Sequence, residues 1–184
     1  MKWFINPYIT IAVVSMTSVS SEHNRAYCDK KSWNEALKSE FALEKKYNNH
    51  AESYNKMLAD YRERPFLYQN FSTQEIQEIW LQHQPISYFA WTEEYENILQ
   101  TIEHLVPEID SVHLLLEQAI IHKQLWQEIS DHCKHMGDKP NQTAGLRYVR
   151  VGDERIEDFK VLIDKLEKLR QRYVKEKKAI NNLR

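Results

Sequence analysis

Glu128, His132 and His135 follow one another at steps of four and three, so on a helix they share one face beside Cys133. Imidazole and carboxylate groups at that spacing are ligands that zinc takes. A closed site needs a fourth ligand, and none is placed to join them, so no metal is expected there. The histidines read instead as solvated groups near a helix C-terminus, where they suit the dipole. Asp110-Ser111-Val112-His113 is the lone approach to a carboxylate-x-x-His unit, which a di-iron bundle needs twice. Carboxylates are plentiful, but no pattern pairs any two of them for acid–base work. With no catalytic motif and no nucleotide-binding loop either, the expectation is a non-enzymatic protein without a cofactor.

Cys28 and Cys133 carry a different chemistry. Two cysteines fit a disulfide in an oxidising compartment. In an up-and-down bundle a first helix rises from Ser32 and a long helix descends to Met136, which returns Cys133 to the end where Cys28 sits. A bridge there closes a loop of more than 100 residues, and in the chain-entropy picture it stabilises by roughly 4 kcal/mol.

The elements that must position these residues are helices. Only 3 glycines and 5 prolines among 184 residues leave few tight turns, and 42% hydrophobic content is enough for one core. Between Thr92 and Met136, Ile98, Ile102, Leu105, Ile109, Val112, Leu116 and Ala119 recur in steps of four and three, the spacing of a coiled-coil stripe. Lys123 interrupts it, and Leu125, Trp126, Ile129, Cys133 and Met136 resume it. Pro107 inside this stretch predicts a kink or restart near Leu105 and Val106. Earlier in the chain, Ser32-Trp33-Asn34-Glu35 has the form of a capping box. It opens a helix with Trp33, Leu37, Phe41, Tyr47, Ala51, Tyr54, Leu58 and Tyr61 on its apolar face, stopped by Arg64-Pro65. A second box, Ser72-Thr73-Gln74-Glu75, starts a short helix that ends before Pro85, and Pro85 to Trp91 form a turn. Gly137 to Gly152, with Pro140, Asn141 and Gly145 as breakers, read as one extended loop. Asp153 then caps a last helix with the stripe Ile156, Phe159, Leu162, Leu166, Leu169, Tyr173, Ile180 and Leu183. The fold class expected is all-α: an elongated antiparallel helical bundle of three long helices and one short helix, in a single domain over residues 21–184.

Residues 1–20 read as an export signal, with Lys2 at the start, an apolar run from Ile9 to Val14, and Ser18 and Ser20 at the small-residue positions of a cleavage site. Removing Lys2 leaves 24 Lys and Arg against 27 Asp and Glu, a formal charge of −3. The mature chain is expected to be secreted or periplasmic, with no membrane span. Asn70-Phe71-Ser72 and Asn141-Gln142-Thr143 have the form of glycosylation acceptors in loops.

Charge is segregated along the chain. No Lys or Arg lies between Arg64 and Lys123, a stretch rich in Glu, whereas Lys165 to Arg184 is strongly basic. A last helix folded back antiparallel would set its basic end beside the acidic half of the long helix. An acidic partner or an anionic surface is the other use of such an end; nucleic acid is not expected, because only Tyr173 could stack on a base. Counting back from Met136 paired with Asp153 brings the last helix only as far as Leu105, at about 1.5 Å per residue. That leaves Thr92 to His104 open, near Trp80, Tyr88, Phe89, Trp91 and Tyr95 with Glu93, Glu94 and Glu96. Aromatic anchors in a polar rim are what partner-binding hot spots use. The function expected is therefore an exported bundle acting through protein–protein contact. A helical carrier of a small apolar ligand is one alternative. An intracellular coiled-coil adaptor subunit is another, if the N-terminus is not a signal.

Overall fold

The computed structural model describes residues 27–82 and 84–182; of residues 79, 80, 82 and 84–91 it describes the backbone alone. The expected signal segment, 1–20, lies outside the described residues. Five helices follow in order: α1 (Lys30–Glu63), α2 (Leu67–Asn70), α3 (Thr73–Gln82), α4 (Gln84–His135) and α5 (Lys139–Asn181). The expected all-α antiparallel bundle is what the chain forms. α4 and α5 make an extensive antiparallel hairpin, and α1 lies along it, packed mainly on α4. No strand occurs among the described residues, and none of their helices is long and apolar enough to cross a membrane.

α5 explains the hairpin. Gly145, Gly152, Phe159, Leu166, Tyr173 and Ile180 stand seven residues apart and all are buried, so this heptad stripe runs without a break to the hairpin turn. The expected loop from Gly137 to Gly152 is therefore overturned, as is the helix start at Asp153. Met136 to Asp138 make the turn, with Gly137 at φ 76°, a backbone state that glycine adopts without steric cost. Asp138 accepts from Asn141 N at 3.2 Å and caps the helix. Pro140 sits in the first turn, where a missing N–H costs nothing. Gly145 and Gly152 are contact points: a Cβ on Gly145 would lie 3.0 Å from Ser130 Cβ, and one on Gly152 2.9 Å from Lys123 Cβ. The residues that look like breakers are a start signal and two sites of close helix approach.

These contacts also set the register. Gly145 lies against Ser130 and Gly152 against Lys123, so each step along α5 matches a step back along α4, and Asn181 comes level with Glu94. The expectation that Thr92 to His104 stay uncovered by α5 is overturned for this reason from Glu94 onward, and Ile98 and Leu105 are fully buried. Removing α5 after Asp153 is expected to strip Phe159, Leu162, Leu166, Leu169 and Tyr173 from the α4 face and cause aggregation. A truncated chain that stayed monomeric in light scattering, with an unchanged melt, would rule out this role for α5.

Three boundaries differ from expectation. α1 begins at Lys30, because Asp29 accepts from Ser32 N at 2.8 Å and takes the cap from the Ser32 box. The Ser72 box forms as read: Ser72 N donates to Glu75 Oε2 at 2.7 Å and Glu75 N to Ser72 Oγ at 3.3 Å. Pro85 to Trp91 are helical and not a turn, since Pro85 is second in α4 and fits its first turn. α4 also runs through Pro107 without restarting. Pro107 and Glu103, whose carbonyl loses its usual partner, are both exposed, where water can replace the lost bond.

Candidate functional site

The disulfide end of the bundle is assembled from three helices. Cys28 and Cys133 are bonded, with S–S 2.10 Å and Cα–Cα 4.9 Å, which ties the start of α1 to the end of α4 as the up-and-down topology requires. Beside them Trp126 stacks on Tyr148 of α5 at 4.2 Å between centroids, and Trp33 of α1 meets Trp126 edge-on at 5.0 Å. His132 Nδ1 accepts from Cys28 N at 3.1 Å, and His135 Nδ1 donates to Asp131 O at 2.7 Å. Each ring is thus engaged within the end of the bundle. Among the described residues no three His, Cys, Asp or Glu side chains gather as a metal site.

One helical level further along, a buried polar knot joins all three long helices. Glu40 of α1 and His122 of α4 are both buried, and His122 Nδ1 lies 3.0 Å from Glu40 Oε2. The other ring nitrogen, Nε2, is 2.9 Å from the Ala36 carbonyl. Arg155 of α5 donates from Nη1 to Glu40 O at 3.1 Å. The same Nη1 stands 2.5 Å from Oε1, an ion-pair contact whose angles fall outside hydrogen-bond geometry. Burial by itself pushes the Glu40 carboxyl up; the His122 hydrogen bond and the Arg155 and His122 charges outweigh it and leave it below the usual carboxylate range. A carboxylate so occupied works as a tie between helices. Sequence reading missed this knot. It placed Phe41 on the apolar face of α1, yet Phe41 is 67% exposed while Glu40 is buried.

A second buried carboxylate holds the connection between α1 and α3. Glu176 of α5 is 1% exposed and accepts from Leu67 N at 2.8 Å and Tyr68 N at 3.0 Å. It supplies α2 with the partners that its N-cap Phe66 lacks. Around it Phe66, Tyr61 and Tyr173 pack edge to face or tilted. Burial is the main cause that pushes Glu176 above the usual carboxylate range, and the two backbone N–H groups only partly oppose it. The folded state therefore holds this proton more tightly than the unfolded chain does. The Glu176 contribution to stability is complete below the unfolded value and is lost as pH rises through the raised folded one. Glu176→Gln turns an NH2 toward one backbone N–H and is expected to cost about 1–3 kcal/mol near neutral pH. The variant should also lose less stability than the parent between pH 5 and 7.5. Urea titrations at both pH values measure this, and an equal slope in the two proteins would refute the assignment.

Two open grooves lie between α1 and α4. A polar one of about 430 Å³ is lined by Ser53, Lys56, Asp60, Arg64, Gln100 and His104, among others. An apolar one of about 360 Å³ has Leu43, Ile121 and Leu125 in its walls, with Ile121 65% and Leu114 60% exposed on α4.

The expected partner-binding residues are only partly described. Trp80 belongs to α3, and Tyr88, Phe89 and Trp91 to the first turns of α4, but their side chains lie outside the described residues. Tyr95 is half-buried and packs against the main core. Asn70 and Asn141 are exposed, as a glycan requires, yet neither is in a loop. Asn70 ends α2 and donates to Phe66 O at 2.8 Å; Asn141 is in the first turn of α5 and donates to Asp138 Oδ2 at 2.7 Å.

Fold and contacts together define the class: a disulfide-tied antiparallel bundle of three long helices, pinned internally by two buried carboxylates. Compared with known protein families, curated proteins and solved structures, the chain matches none of them.

Proposed function

We propose that this chain is an exported helical-bundle protein that acts by protein–protein contact, without chemistry of its own. The observation that carries the reading is an overhang. α5 comes level with Glu94, so Gln84 to Glu93 of α4, about 15 Å of helix, extend past the described end of α5. That overhang carries Tyr88, Phe89 and Trp91 among polar Gln84, Ser87, Thr92 and Glu93 and has no Lys or Arg, the composition of aromatic anchors in a polar rim. The disulfide supports export, because such a bond persists in oxidising compartments. Exposed Asn70 and Asn141 agree with that setting.

A photo-crosslinking amino acid at position 91 in the secreted protein is expected to capture one defined protein, and a probe at exposed position 38 is not. Trp91→Ala should weaken that complex at least tenfold while shifting folding stability by less than about 1 kcal/mol. Mass spectrometry of the mature protein should find Ser21 at its N-terminus. Equal capture from both positions, or a Trp91→Ala loss confined to stability, would sink the contact site; an intact Met1 together with free Cys28 and Cys133 thiols would sink export and favour the intracellular adaptor. The apolar groove of Leu43, Ile121 and Leu125 favours one further reading, a carrier of small apolar ligands. In that case Ile121→Glu should abolish retention of a fluorescent fatty acid.

A further inference from the structure

Residues 165–178 hold seven Lys and Arg against two Glu, and one of those, Glu176, is buried. On the heptad set by Phe159, Leu166 and Tyr173, the cations Lys165, Lys168, Arg172, Lys175 and Lys178 follow at steps of three and four, and all five are exposed. They form one row along the outside of α5, about 20 Å long at 1.5 Å per residue. The register brings this row level with the acidic half of α4, as the charge pattern predicts. Yet among the described residues no ion pair joins the row to α4. Lys168 pairs with Asp164 on its own helix at 2.6 Å, and Arg172 lies over the Tyr61 ring, 5.1 Å from its centroid. The acid at the far edge, Glu167, is held by Arg170 at 3.0 Å. Lys165, Lys175 and Lys178 form no ion pair among the described residues, so the positive field of the row is left to solvent.

We propose that this row binds a linear sulfated polysaccharide, a polyanion whose charges repeat along a line as these cations do. Three features select that occupant. The array is one-dimensional, matching a chain better than a plane. It lacks the apolar anchors of a membrane-inserting helix, since the one exposed apolar residue at its edge is the small Val161. Tyr173, the aromatic residue within the segment, is buried, so no ring is offered to a nucleic-acid base. A net charge of −2 on the whole chain means that attraction must come from this local row and not from the molecule at large.

The test uses the full chain and heparin. The wild type should be retained on a heparin column at physiological salt, about 0.15 M, with log affinity falling linearly against log salt. Lys165→Gln/Lys168→Gln/Lys175→Gln should weaken binding at least tenfold and flatten that salt slope. A control carrying Lys30→Gln/Lys31→Gln/Lys38→Gln, with the same net charge, should stay within twofold of wild type. The corresponding triple Lys→Arg variant keeps the charge row and should retain binding, which guards against a folding defect in the Gln variant. No retention of the wild type, or equal losses in row and control variants, would overturn the proposal. Tighter row-dependent binding to phosphatidylserine vesicles than to heparin would also overturn it and assign the row to a membrane.

Discussion

Replacing Cys28 and Cys133 with serine is expected to cost about 4–5 kcal/mol of unfolding free energy, the largest effect of any change considered for this protein. The bond joins residues 105 apart in sequence, so its loss returns to the unfolded chain the freedom of a loop containing all of α1, α2 and α3 and most of α4. The folded state feels it as well. α1 packs far less extensively on the hairpin than α4 and α5 pack on each other, and the bond lies where α1 begins. Denaturant titrations with and without reductant should show the loss. Hydrogen exchange should show residues 30–43 opening before the α4–α5 hairpin does. A change of less than about 1 kcal/mol would mean that α1 is held by packing alone, since the entropic contribution for so long a loop is several times larger.

Glu40→Ala ranks next, at about 3–5 kcal/mol, because it leaves His122 and Arg155 among buried groups without their shared carboxylate. Replacing all three by apolar residues of similar volume should recover most of that loss. Strong non-additivity would identify the three as one unit. The pH dependence has a defined sign. Glu40 sits below the usual carboxylate range when folded, so its contribution is present above the unfolded value, near pH 4, and is lost as pH falls through the lowered folded value. The parent should therefore lose stability steeply below about pH 4 and Glu40→Ala less so. Parallel acid profiles would place the stabilisation elsewhere.

Much of the fold is legible in local pattern. The stripes of α4 and α5 state helix, antiparallel order and core face, because burial against a neighbouring helix demands apolar residues every three or four positions. The cysteines follow from the same topology. The stretch from Pro140 to Gly152 is not legible in that way, since glycine at a core position marks close approach only when the partner helix is known. Without the partner, the same glycine counts as a breaker, and the error spreads: reading α5 fourteen residues short of its Lys139 start left the start of α4 uncovered. Phe41 fails for a related reason. Hydrophobicity placed it inward, yet the buried position belongs to Glu40, which only its contacts with His122 and Arg155 make tolerable.

The amino-acid sequence by itself determined the all-α class, the order of the long helices, the Ser72 cap and the pairing of Cys28 with Cys133. These depend on neighbours along the chain or on the direction in which helices alternate. Only the tertiary structure decided the register of α5 on α4, and with it the length of helix left past the end of α5. It also decided the burial of Glu40 and Glu176, whose stability depends on Arg155, His122 and the N–H groups of Leu67 and Tyr68. The sequence separations of those contacts run from 82 to 115 residues. Local periodicity carries no information over such distances, because a charged residue at a core position reads as a break in the stripe until the group that neutralises or caps it is brought against it.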